Sequence, residues 1–183
     1  YKSKKTIFNC IKSIERFNKI LIFDNSNDKE LKKNIKKKYP KIKFFLSKRN
    51  IGYGQGYNYL LKQVKTTYAL LITPDTSLKK GTVKKFLYSL KEFGNNFSLL
   101  GPYKQNKNFM LENKKIFCKA ELILGFCMII NLNNINKNDF FDKNIFLYLE
   151  DIDLCRRLIN HNQKIFINKY FIVNHTGAKS SDL

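Results

Sequence analysis

Between residues 19 and 72, three short apolar runs alternate with helical stretches, and this alternation restricts the fold more than any other feature. The runs are 19–23 (KILIF), 42–46 (IKFFL) and 68–72 (YALLI). Each is too short for a helix and rich in β-branched or aromatic residues, which suits a buried strand. Between them lie a Lys-rich helical stretch, halted by Pro40, and a second helical pattern carrying Tyr57, Leu60, Leu61 and Val64. Strand and helix at this spacing predict βαβ units in an α/β fold. Upstream, Ile7, Ile11 and Ile14 share one helical face over 4–17. Downstream, the pattern predicts a helix over 79–92, a strand over 97–100 and a polar, mobile loop over 101–115. It then predicts a strand over 120–132, a helix opening at Glu150 and a strand over 170–173.

The chain of 183 residues is the size of one domain, and 43% hydrophobic content with 16 Phe argues against disorder. Its longest apolar run, 122–130, is interrupted by Gly125 and far too short to cross a bilayer. The first residue is Tyr1, not Met, so the chain reads as trimmed at its amino end. Cys10, Cys118, Cys127 and Cys155 lack C-x-x-C spacing, which argues against a cysteine zinc site and for buried, reduced thiols of a cytosolic protein. The net charge of +21 concentrates early: residues 1–49 hold 16 Lys/Arg against 4 Asp/Glu. Much of it is Lys29, Lys32, Lys33, Lys36, Lys37 and Lys38 on one helix, and the whole chain has only four Arg, the preferred readers of bases. Two readings stand: a solvated lysine face, or a patch for nucleic acid or an anionic membrane.

Several segments carry chemistry. Run 19–23 ends in Asp24-Asn25-Ser26-Asn27-Asp28, where Asn27 or Asp28 can cap the Lys-rich helix. Residues 48–58 (KRNIGYGQGYN) place three glycines at alternate positions before a helix, which frees the backbone to approach a ligand or to turn, with Asn58 bonding locally. The spacing G-x-G-x-G is not a dinucleotide fingerprint. Asp75, in Thr73-Pro74-Asp75-Thr76, sits where a buried strand reaches the surface; it suits a metal ligand or, more simply, a turn cap. Glu150, Asp151 and Asp153 open a helix after Phe140, Phe141, Phe146 and Tyr148. Asp153 suits a dipole-favouring acid paired with Arg156 and Arg157, but three acids beside aromatic residues also suit general-base work. His175 follows an apolar strand, where a structural role is the simpler one.

Taken together, ILIFDNSND, KRNIGYGQGYN, TPDT, GFCMIIN, FFDKNIFLYLEDIDLCRR and VNHTGAKS occur in an order and spacing that resemble the family 2 glycosyltransferases, in particular their rhamnosyltransferase-like branch. The resemblance runs from about residue 7 to 180. It implies a GT-A type nucleotide-diphospho-sugar transferase fold with a central, mostly parallel sheet, apparently lacking its first strand. It also implies a single catalytic domain, with residues 1–100 as the nucleotide-sugar half and 101–183 as the acceptor and catalytic half. On this resemblance Asp24, Asn25, Ser26, Arg49, Asn50, Gly52, Asn58 and Gly125 bind the donor. Asp75, the last acid of the family's D-x-D with Thr73 at its first position, and His175 hold a divalent metal, Mn²⁺ or Mg²⁺. Asp151 is the catalytic base, supported by Glu150. The implied activity is inverting transfer from a nucleotide-diphospho-sugar to a saccharide or lipid-linked saccharide in bacterial surface polysaccharide synthesis. The implied place is the cytoplasm, with peripheral contact at the inner face of an anionic membrane and no nucleic acid. A catalytically impaired donor-binding fragment and a basic nucleic-acid binder are the alternatives.

Overall fold

The structure is a computed structural model that describes residues 2–17, 19–103, 115–135 and 140–177. Among these, five helices and eight strands alternate. They are α1 (Ile7–Ile14), β1 (Leu21–Asp24), α2 (Lys29–Lys38), β2 (Lys43–Leu46), α3 (Tyr53–Leu61), β3 (Tyr68–Ile72) and β4 (Thr76–Leu78), followed by α4 (Thr82–Phe93), β5 (Leu99–Tyr103), β6 (Phe117–Lys119), β7 (Cys127–Asn131), α5 (Glu150–Asn160) and β8 (Ile165–His175).

The larger sheet runs β3-β7-β5-β8-β4, with β6 also on β8. Side chains alternate across it as a pleat requires. Ala69, Leu71, Met128 and Ile130 face one core with Leu154, Cys155 and Leu158 of α5. Leu70, Ile72, Cys127 and Ile129 face a second core with Phe86 and Leu90 of α4 and Cys10 and Ile14 of α1. Helices therefore cover both faces, the α/β layering that the strand–helix alternation predicts. A smaller parallel pair, β1–β2, carries the third core: Leu31 and Ile35 of α2 pack with Ile7 and Ile11 of α1. On α2, Asp28 is the cap, accepting from Leu31 N at 2.8 Å, while lysines 29, 33, 36, 37 and 38 are exposed around the buried Leu31 and Ile35.

Strand direction departs from expectation. Only β1–β2 and β5–β8 pair in parallel; the other four pairings among the described residues are antiparallel. Parallel neighbours need a long crossover, and β1-α2-β2 has one. β7 returns beside β5 with no helix between them among the described residues, and so runs antiparallel. Other boundaries moved as well. The strand expected over 120–132 is confined to β7, because the chain turns at Gly125, where a side chain would meet the Tyr53 hydroxyl at 3.0 Å. Residues 101–103 belong to β5 rather than to a loop, and 104–114 lie outside the described residues. The thiols of Cys10, Cys127 and Cys155 are free and buried, but Cys118 is only half-buried.

Candidate active site

Asp24 ends β1 and is 4% exposed. Its Oδ1 accepts from Ser26 N at 3.1 Å and Ser26 Oγ at 2.6 Å, and its Oδ2 accepts from Asp28 N at 2.7 Å. The D-N-S-N-D loop is thus wound around its own first carboxylate. Asn25 leaves that loop for the glycine segment: its Nδ2 donates to Gly52 O at 3.0 Å and its Oδ1 accepts from Ile51 N at 3.1 Å. Asn50 Oδ1 accepts from Gly52 N at 3.0 Å, and Arg49 is exposed beside it.

Gly52 is the glycine that geometry demands. It has φ of +89°, and a Cβ there would collide with the Phe146 carbonyl. Gly54 and Gly56 serve packing instead: side chains there would press on Phe141, at 2.8 Å, and on Phe23, at 3.2 Å. Asn58 does not bond locally. Its amide donates to Phe141 O at 2.7 Å and accepts from Phe141 N at 3.1 Å, pinning α3 to a turn 83 residues away.

At the acidic end, Asp151 Oδ2 accepts from Gly125 N at 2.7 Å, and Oδ1 from Ile152 N at 2.9 Å. Glu150 is 6% exposed and its Oε2 has no hydrogen-bond partner among the described residues. Burial pushes its carboxyl above the ordinary range, and the neighbouring Asp151 charge adds to the shift. Asp153 is a structural acid: Arg157 binds its Oδ2 through Nε at 2.9 Å and the terminal nitrogen at 2.8 Å, while Arg156 is exposed. The aromatic group expected beside these acids divides, with Phe140 and Phe141 buried and Phe146 and Tyr148 exposed.

Asp75 and His175 meet although they are 100 residues apart. β4 pairs with the end of β8, and His175 Nε2 lies 3.1 Å from Asp75 Oδ2, each side chain 24% exposed. Thr73 Oγ1 donates to Asp75 Oδ1 at 2.5 Å. The His175 ring stacks on Phe126, centroids 4.3 Å apart and 7° from parallel, and Phe126 O accepts from Thr73 N at 2.9 Å.

Gly125 and Phe126 are consecutive. One holds the Asp151 carboxylate and the other seats the Asp75–His175 pair, so both acids border the same turn at the entry to β7. Tyr53 ties this turn to the glycine segment: its hydroxyl donates to Gly125 O, and its N–H donates to Phe146 O at 3.0 Å. Burial pushes the Tyr53 phenol well above its ordinary range, with Tyr57 and then Glu150 and Asp151 adding to the effect. Tyr53 and Phe126 are the two residues that sequence reasoning missed; nothing local signals a contact between Tyr53 and Gly125, which are 72 positions apart. A cavity of about 160 Å³, lined by Val64, Lys65, Thr66, Thr67, Leu132 and Asn133, lies at the other end of the β3–β7 pair and takes no part.

The sequence pattern of glycosyl transferase family 2 matches residues 1–159, and the chain belongs to this family. It is 24% identical over 191 residues to the low-salt glycan biosynthesis hexosyltransferase Agl10 of Haloferax volcanii, covering 90% of this chain and 61% of that protein. The chain therefore spans about three fifths of that relative's length. Among solved structures it resembles the mannosyltransferase PcManGT of Pyrobaculum calidifontis, in complex with GDP-Man and Mn²⁺ (TM-score 0.79, 9% identity, 99% of this chain and 56% of that one). It also resembles S. aureus TarS residues 1–349 in complex with UDP-GlcNAc (TM-score 0.71, 18% identity, 100% of this chain and 59% of that one). The fold is that of the GT-A glycosyltransferases.

Proposed function

We propose that this chain moves a sugar from a nucleotide-diphospho-sugar to a hydroxyl of a saccharide or lipid-linked saccharide, with inversion, in the synthesis of a bacterial surface polysaccharide. The observation that carries the reading is the Gly125–Phe126 turn, which anchors Asp151 on one residue and the Asp75–His175 pair on the next. The named substrates of the relatives, a hexose-transferring glycan enzyme and donors with GDP or UDP, support the substrate class.

The chain divides the work. Asp24, Asn25, Ser26, Arg49, Asn50, Gly52 and Asn58, from the 1–100 half, shape the nucleotide side, and Gly125 lines the sugar. Since Asn25 and Asn58 spend amide atoms on backbone, they act by holding the loops in place. Asp151 takes the proton of the attacking hydroxyl: two of its roughly four acceptor positions are spent on backbone N–H groups, which fix its orientation and leave the rest for the alcohol. Glu150 lends support from burial beside it. One displacement opposite the leaving diphosphate inverts the anomeric carbon, and no covalent intermediate is needed.

Asp75 and His175 would hold a divalent metal, Mn²⁺ or Mg²⁺. The fit rests on one oxygen and one nitrogen donor already converging, with Thr73 orienting the carboxylate. Among the described residues no group of three His, Cys, Asp or Glu side chains gathers, so Asp75 and His175 would be the protein's share of a site for a metal held by few protein ligands. When bound, such an ion neutralises charge on the departing diphosphate.

The place proposed is the cytoplasm, with peripheral contact at the inner membrane face. Among the described residues no helix is long and apolar enough to cross a membrane. A thermal-shift screen of UDP-, dTDP- and GDP-sugars with Mn²⁺ or Mg²⁺ tests the reading. One donor class should raise the melting temperature in a metal-dependent way. No response to any of them, together with salt-sensitive oligonucleotide binding, would point to the nucleic-acid alternative.

A further inference from the structure

Four consecutive apolar residues precede Glu150, and all face solvent: Phe146, Leu147, Tyr148 and Leu149 are 55%, 47%, 62% and 64% exposed. Leu122 and Leu124, at 40% and 43%, flank the buried Ile123 just before Gly125. Since Gly125 N binds Asp151 and Leu149 lies two residues before it, both segments rim one carboxylate. Six of the eleven exposed large apolar residues among the described residues fall in these two segments, a concentration that marks an interaction surface rather than scattered surface leucines.

The backbone holds this turn outward. Tyr148 and Leu149 have φ of +66° and +69°, a region that bulky residues rarely occupy, and Phe146 O is fixed by Tyr53 N at 3.0 Å. Exposed cations lie on the neighbouring segments: Lys143 three residues before Phe146, Lys119 three before Leu122, and Lys48 and Arg49 on the segment that leads into Gly52. Asp142 and Glu121 are the acids exposed in the same segments, and the chain as a whole carries +21. An apolar tip with an aromatic hydroxyl, on a strongly basic protein, has the chemistry of an interfacial anchor for anionic lipid.

We propose that the 146–149 turn, with Leu122 and Leu124, inserts into the headgroup region of an anionic phospholipid membrane and so sets Asp151 at the lipid surface. The exposed lysines of α2 then supply attraction without setting orientation. The claim that this brings Asp151 to a membrane-held acceptor rests on the transfer reading above. Vesicle binding is read without donor or metal, so either proposal can fail alone.

The chain has no tryptophan, so Tyr148→Trp creates one reporter in the turn and Tyr88→Trp one on α4, where Tyr88 is 66% exposed. Each full-length variant is mixed with vesicles of phosphatidylcholine, with or without phosphatidylglycerol. The Tyr148→Trp emission should shift to the blue and be quenched by brominated lipid with the anionic vesicles only, while Tyr88→Trp stays unshifted. Pairing Leu147→Ser with Leu149→Ser should lower partitioning into anionic vesicles by about tenfold or more. Leu87→Ser paired with Tyr88→Ser should leave it intact, circular dichroism confirming the fold of each. A solvent-exposed reporter at 148 on vesicle-bound protein overturns the proposal in favour of the lysines alone. An equal shift with neutral vesicles overturns the anionic partner. A blue shift that grows with protein concentration in the absence of lipid assigns the surface to a second copy of the chain.

Discussion

Among the described residues, the Asp24 carboxylate takes its three hydrogen bonds from within four residues of itself, whereas the Asp151 carboxylate takes one of its two from Gly125, 26 residues away. The contrast extends to the surroundings. The Asp24 loop closes on itself and then, through Asn25, on the glycine segment. The Glu150–Asp151 end keeps a buried carboxylate oxygen with no partner among the described residues and two bulky residues at positive φ, with four apolar side chains facing water. The Asp24 side is thus completed by its own chain, and the Asp151 side is left unfinished among the described residues. Unsatisfied and strained groups collect where a second molecule must supply the missing partners.

That difference can be broken by mutation. Asp24→Ala strips three donors of their acceptor inside a closed loop and should lower stability by about 2–3 kcal/mol in urea unfolding, the largest effect here; a loss below about 0.5 kcal/mol would mean the loop holds without its carboxylate. Tyr53→Phe removes the link between the two sides, leaving Gly125 O unpaired. It should lower stability by about 1 kcal/mol and slow transfer several-fold through a loosened Asp151, as steady-state kinetics would read.

Glu150→Gln should do the opposite to stability. Because burial raises the folded-state pKa of Glu150, the wild type binds more protons folded than unfolded between the ordinary carboxyl value of 4.5 and that raised value. The Glu150 contribution to stability is therefore full below pH 4.5 and is lost as pH rises through the folded pKa. Melting curves of the Gln variant should match wild type in acid and equal or exceed it at neutral pH; a Gln variant less stable at neutral pH would show that the buried charge has a partner.

The same contrast explains what could be read from residues alone. The loop after β1 was legible as five polar residues ending an apolar run, and the α2 cap because Asp28 bonds only three residues on; the winding of the loop around the Asp24 carboxylate was not. Helix α5 announced itself through three acids followed by apolar periodicity and two arginines. Tyr53 and Phe126 were not legible, since their roles arise from contacts across the fold that no local period encodes. The direction of β7 escaped for a related reason: a strand's apolar pattern is the same whichever way it runs. Asp75 read alone favoured a turn cap, and only the return of β8 beside β4 brought His175 to it.

The division between the two acids is tested most directly by titrating nucleotide-sugar donor into Asp75→Asn and Asp151→Asn, with transfer rates measured on the same preparations. Asp75→Asn should weaken donor binding in the presence of Mn²⁺. Asp151→Asn should bind donor as wild type does and lose about 10²-fold or more in transfer. An Asp151→Asn protein that still transfers sugar, or that loses donor affinity in step with Asp75→Asn, would contradict the account.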